Sequence, residues 1–178
     1  MFYETAIPLA YFITFTCYGT WLHGEKSTSV DRFTNLPGTN FLSFNSKRLH
    51  LVKKSMPESP YFLDELRRKI VLQAIEDVCI HRQWVLLAAH VRSNHVHLVI
   101  HAILPPEQIM NTIKSYASRH LNKAKLDDGR VRRWTHHGST RYLWKETEVE
   151  ATIQYVVYEQ GLPMAVFENK DRDFFVLF

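Results

Sequence analysis

Two apolar runs, Trp84 to Val91 and His95 to Ala102, stand three residues apart. So short a gap leaves the chain one course: the runs pair antiparallel across a tight turn at Arg92-Ser93-Asn94. What flanks this hairpin sets the rest. Upstream, Ser59-Pro60 reads as a helix start, with Leu63, Leu66, Ile70, Ala74, Val78 and Cys79 forming one apolar stripe at helical spacing. Downstream, Pro105-Pro106 opens a second helix whose inner side is Ile109, Ile113, Tyr116 and Leu121. Ala10 to Tyr18, rich in β-branched and aromatic residues, reads as a first strand. A short strand is expected around Tyr142 to Trp144, after a turn at His136-His137-Gly138-Ser139-Thr140, and a third helix over 146–160. The order strand, helix, strand, strand, helix, strand, helix predicts an α+β, ferredoxin-like (RRM-like) antiparallel sheet. Its helices pack on one face, an extra C-terminal helix follows, and the other face stays open for a ligand. One domain is expected over 1–178, with a surface insertion at about 23–59, where Gly, Ser, Thr, Asn and Pro replace periodic apolar residues.

Composition excludes several classes. With 46% apolar and 13% aromatic residues, the chain is not disordered. No apolar run is long enough to span a membrane, and the N-terminal stretch lacks a basic start and a small-residue cleavage site. Cys17 and Cys79 match no metal-knuckle spacing and read as reduced thiols, so a cytoplasmic location is expected, nucleoid-associated when the protein is on DNA. The net charge of +4 is unevenly spread: residues 114–145 hold nine Lys or Arg against two acids. Tyr116, Trp134, Tyr142 and Trp144 are interleaved there. Cations that neutralise phosphates beside rings that stack on unpaired bases fit a nucleic-acid partner, with Lys114, Arg119, Arg132, Arg133, Arg141 and Lys145 as contacts.

Alternation along the second hairpin strand sends Val96, Leu98 and Ile100 to the core and His95, His97 and His101 to the other face. A turn centred on Ser93-Asn94 pairs His97 with His90 on that same face. His95 and His97 then lie about 7 Å apart along the strand, where two imidazoles can converge on one metal ion. On the last helix, Val149, Ile153, Val156 and Val157 make the core side, and Tyr155 points nearly opposite with Glu148, Thr152 and Glu159. Tyr155 and Glu159 offer a phenol nucleophile and a carboxylate at i and i+4. Tyr158, about 60° round the helix, is the alternative phenol.

Ser93-Asn-His-Val-His-Leu-Val-Ile100 resembles the His-hydrophobic-His motif of HUH nucleases, and Ile153-Gln-Tyr-Val-Val-Tyr-Glu-Gln-Gly161 resembles the tyrosine helix of their single-tyrosine transposases. Ile113 to Asn122 and His137 to Trp144 are similar to connecting segments of the REP-associated, IS200-like members. The likeness runs from about residue 8 to 165. Two positions depart: Arg92-Ser93 replaces Met-Pro, and Glu159 stands where relatives carry Asn or Gln, with Gln160 as the alternative ligand. The resemblance implies that His95, His97 and Glu159 hold Mg²⁺ or Mn²⁺, that His90 supports them from a second shell, and that Tyr155 is the nucleophile. It implies cleavage and strand transfer of single-stranded, hairpin-forming DNA through a 5′-phosphotyrosine, and leaves open a homodimer.

Three other readings compete. A non-catalytic RNA-binding module shares the fold but needs aromatics, not histidines, on its central strands; an inactive or domesticated DNA- or RNA-binding module of the same fold is separated only by a DNA-cleavage assay. A zinc or iron hydrolase can use two His and a carboxylate but leaves Tyr155 without a role.

Overall fold

A computed structural model describes residues 7–20, 50, 54–127 and 129–171. The expected insertion at 23–59 lies for the most part outside these residues. The elements run β1 (Ala10–Cys17), α1 (Glu65–Arg82), β2 (Val85–Val91), β3 (His95–His101), α2 (Pro106–Lys123), β4 (Trp134–Leu143), α3 (Glu146–Tyr158) and β5 (Ala165–Glu168). One antiparallel sheet has the order β4-β1-β3-β2-β5. Its first four strands, with α1 and α2, form the ferredoxin-like arrangement, and β5 extends the edge. No helix among the described residues is long and apolar enough to cross a membrane.

Strands β1 to β4 feed two cores, as period-2 alternation dictates. Tyr11, Ile13, Phe15, Val96, Leu98 and Ile100 point toward α1 and α2 and meet Val71, Ile75, Val78, Ile109, Ile113 and Leu121. Ala10, Ala88, Val99 and Leu143 point the other way and meet Val149, Ile153 and Val156. The tyrosine-bearing helix α3 thus lies across the face expected to stay open. Val99 is the reason: an apolar residue between two histidines on that face needs cover, and the inner side of α3 supplies it.

Three local readings need correction. α1 starts at Glu65, capped by Asp64, whose side chain accepts from the Arg67 N–H at 2.8 Å. Residues 61–63 instead run extended: the Tyr61 N–H donates to the Tyr18 carbonyl and the Leu63 N–H to the Ser93 carbonyl, and both side chains are buried. The helix stripe shifts with its start, burying Val71, Ala74, Ile75, Val78 and Cys79 and leaving Leu66 exposed. Nor is there a turn at 136–140, since β4 continues through it. Gly138 serves close approach within the strand: a Cβ there would meet the Thr14 carbonyl oxygen and the Met110 sulfur at 2.5 Å.

Candidate active site

Thr14, His97 and His90 form one row across β1, β3 and β2, since Thr14 pairs with His97 and His97 with His90. The cross-hairpin pairing expected from the Ser93-Asn94 turn is therefore present. The turn is held from both sides: the Cys17 N–H donates to the Asn94 carbonyl and the Leu63 N–H to that of Ser93. This fixes where the Asn94 side chain sits, and its Oδ1 accepts from His95 Nδ1 at 2.7 Å. A proton on Nδ1 puts the ring's lone pair on Nε2. His97 Nδ1 lies 2.8 Å from Thr14 Oγ1, which orients the second ring. The two ring centroids are 4.7 Å apart. Burial drives both imidazoles toward the neutral form, His95 down to about 4 and His97 to about 3, with Arg92 and His90 adding to both and His95 adding to His97. Neutral rings are what a metal ligand requires.

α3 carries Tyr155 to the same place. Its ring centroid is 5.9 Å from His97 and 6.0 Å from Phe12, and Phe12 stacks on His97 at 5.6 Å. Tyr155 is 41% exposed, and among the described residues no group hydrogen-bonds its hydroxyl. Tyr158 is turned away, its hydroxyl donating to Glu168 at 2.6 Å. Glu159 caps α3, its N–H donating to the Tyr155 carbonyl, and its side chain is exposed. Gln160 is the residue brought to the histidines. Its amide nitrogen donates to the Tyr155 carbonyl at 3.2 Å, and its side chain is among the groups that act on the His97 ring. No group of three or more His, Cys, Asp and Glu able to hold a metal occurs among the described residues. Two neutral imidazoles on this face, with the Gln160 carboxamide as a candidate oxygen donor near His97, fit a divalent ion that keeps open positions for phosphate and water.

Four expected residues do other work. His90 is fully buried, with Nδ1 donating to the Val156 carbonyl at 2.9 Å and Nε2 accepting from the Met164 N–H at 3.2 Å. It pins α3 and the loop after it to the sheet rather than orienting a ligand ring. His101 is buried at the far end of β3, with Nδ1 on the Leu9 carbonyl. Lys114 is buried as well: its amine donates to the carbonyls of Thr135, His136 and His137, and burial lowers it to about 8. Arg133 is inside too, bonded to Asp127 at 3.0 Å and Asn122 at 2.7 Å. Lys114 and Arg133 are therefore structural cations, not phosphate contacts. Arg119, Arg132, Arg141 and Lys145 are exposed. Arg141 is nearest the histidines, its guanidinium 5.9 Å from the Phe12 ring and bonded to Thr152.

Phe12, Thr14 and Asn94 were not singled out from the sequence. A signal existed for one: Thr14 is a polar position in a strand otherwise dense with apolar residues, and it falls on the histidine face once β1 pairs with β3.

A family model described as transposase, IS200-like, matches residues 43–158. No curated protein matches the chain. Among solved structures, that of the REP-associated tyrosine transposase bound to a REP hairpin aligns over 89% of this chain and 71% of its own, with 10% sequence identity and a TM-score of 0.47.

Proposed function

The chain belongs to the IS200-like transposase family, and we propose that this transposase cuts and rejoins single-stranded DNA through a covalent bond to Tyr155. One observation carries the proposal: a phenol and two neutral histidines meet in a single chain, with Tyr155 and His97 rings 5.9 Å apart. The hydrolase reading has no use for that phenol, and a passive binding module needs no pair of oriented imidazoles.

His95, His97 and Gln160 are the groups that would hold Mg²⁺ or Mn²⁺, with Gln160 rather than Glu159 as oxygen donor. When bound, the ion supplies Lewis-acid polarisation of a non-bridging oxygen of the scissile phosphate. The chain's own residues do the rest. Asn94 and Thr14 engage the two imidazoles at Nδ1, so Nε2 would be the ligating atom of each. Phe12 packs edge-on to Tyr155 and flat on His97, which holds the phenol against the histidines without bonding its oxygen. The Tyr155 oxygen attacks phosphorus and its proton leaves to solvent. The P–O3′ bond breaks and O3′ takes up a proton from solvent, giving a 5′-phosphotyrosine and a free 3′-hydroxyl. Attack on that linkage by another 3′-hydroxyl reverses the step and joins a new strand, with no net change in the number of phosphodiester bonds. Arg141 and Arg92, on either side of the histidines, are placed to meet backbone phosphates. Hairpin-forming DNA in the cytoplasm, at the nucleoid, is the proposed substrate. The test is incubation with single-stranded hairpin oligonucleotides and Mn²⁺, with the adduct read on a denaturing gel and mapped to its tyrosine.

A further inference from the structure

Of the three rings interleaved with the basic residues of β4, the fold takes one away. Trp134 packs edge-on to Phe15 and Tyr61, and its indole N–H donates to Ser118 and to the Lys114 carbonyl. Tyr142 and Trp144 behave differently. They lie on the side of β4 opposite Arg141, stacked on each other with centroids 6.1 Å apart and planes within 15°. Both are about half exposed, 45% and 50%. Tyr11, buried beneath, meets Tyr142 edge-on at 5.1 Å and fixes the inner ring. The outer ring is fixed through its backbone, since the Trp144 N–H donates to the Glu148 carboxylate, one turn into α3, at 2.9 Å. Of the nearby acids, Glu107 accepts from the Thr140 hydroxyl and Glu148 from the Trp144 and Lys145 N–H groups, while Glu146 is exposed. Lys145, the residue after Trp144, is exposed, whereas Arg141 faces the other side of the strand and bonds Thr152.

From this geometry we infer that Tyr142 and Trp144 form a stacking platform for an unpaired base of the DNA strand being processed, a site separate from the histidines and Tyr155. The inference rests on reading the chain as a single-stranded DNA enzyme. A preordered, half-exposed ring pair is what an unpaired base requires, because every base has a π-face to stack. An apolar protein partner fits less well, because the patch is two rings bordered by charge. The platform is also at a set distance from the nucleophile. Trp144 and Tyr155 are eleven positions apart, nearly all of them in α3. At 1.5 Å per helical residue this is roughly 16 Å, about five nucleotides at 3.4 Å each, and fewer where the strand is stretched. The platform therefore grips the strand a few nucleotides from the cleaved phosphate.

The test is fluorescence anisotropy on the full chain with two labelled probes, a mixed-sequence single strand and a fully abasic strand of equal length and charge. Trp144→Ala should weaken binding of the base-bearing strand by roughly 5- to 100-fold, leave the abasic strand unaffected and keep the salt slope. Trp144→Phe should retain most of the affinity. Wild-type affinity in Trp144→Ala overturns the platform, and so does an equal loss on both probes. Adduct formation by the wild type on the same base-bearing strand is scored separately. Adduct with unaltered Trp144→Ala binding removes the platform and leaves the proposed function; base-dependent loss with no wild-type adduct does the reverse.

Discussion

Each imidazole proposed as a metal ligand is set by one side-chain oxygen, and that makes Thr14 and Asn94 the residues to vary first. Thr14→Ala removes the group on His97 Nδ1, so Mn²⁺ affinity measured by calorimetry or electron paramagnetic resonance should fall roughly 10- to 100-fold. Thr14→Ser keeps the hydroxyl and should restore most of it. A purely packing role for Thr14 would make Ser and Ala alike. The histidines also give the metal-free protein a pH signature. Both have folded-state values, about 4 and about 3, below the ordinary 6.5. As pH falls, the unfolded chain takes up protons first. Their contribution to stability is complete above pH 6.5 and is lost as pH falls toward 4 and then 3. Urea midpoints taken across that window should decline, and His95→Gln/His97→Gln should flatten the decline. A slope as steep in the double variant would place the acid sensitivity elsewhere.

At the scale of elements, what matters is that α3 is fastened, because it carries Tyr155, Gln160 follows it, and Trp144 sits at its head. His90 is the fastening. Replacing it by Leu leaves the Val156 carbonyl and the Met164 N–H without their partner, at a cost of about 1–3 kcal/mol each. His90→Leu should therefore lower stability and slow adduct formation while leaving Mn²⁺ affinity close to wild type. A drop in affinity as large as that of His97→Ala would make His90 part of the metal site. Why this role escaped the sequence is instructive. The alternation of β3 and the three-residue turn put His90 beside His97 in register, which depends only on local spacing. Which atoms meet the ring of His90 depends on where α3 lands, and nothing local encodes that. The same divide runs through the rest. β1, β3, α2 and the apolar side of α3 were legible because their periodicities are strong. The start of α1 was not, because Ser59-Pro60 and Asp64 are both good caps and the tertiary contacts of Tyr61 and Leu63 decide between them. β4 looked like a turn because His-His-Gly-Ser-Thr has turn composition, whereas an edge strand tolerates it when Gly138 lets β1 approach.

For the molecule as a whole, the basic stretch 114–145 divides into cations that hold the fold and cations that face solvent. Charge alone does not tell them apart, since Arg132 and Arg133 are neighbours and only Arg133 is inside. Arg133→Ala breaks a buried pair with Asp127 and should cost about 3–5 kcal/mol in stability. Arg132→Ala and Arg141→Ala should leave stability close to wild type and each lower the log–log salt slope of single-stranded DNA binding by roughly 0.7. An unchanged slope in both would put the DNA path on another face. The central claim, however, is that Tyr155 becomes bonded to DNA beside His95 and His97. It is tested most directly by incubating wild type, Tyr155→Phe and Tyr158→Phe with single-stranded hairpin DNA and Mn²⁺ and resolving covalent adduct under denaturing conditions. The account predicts adduct for wild type and Tyr158→Phe, carried on Tyr155, and none for folded Tyr155→Phe; adduct that persists in Tyr155→Phe and vanishes in Tyr158→Phe would contradict it.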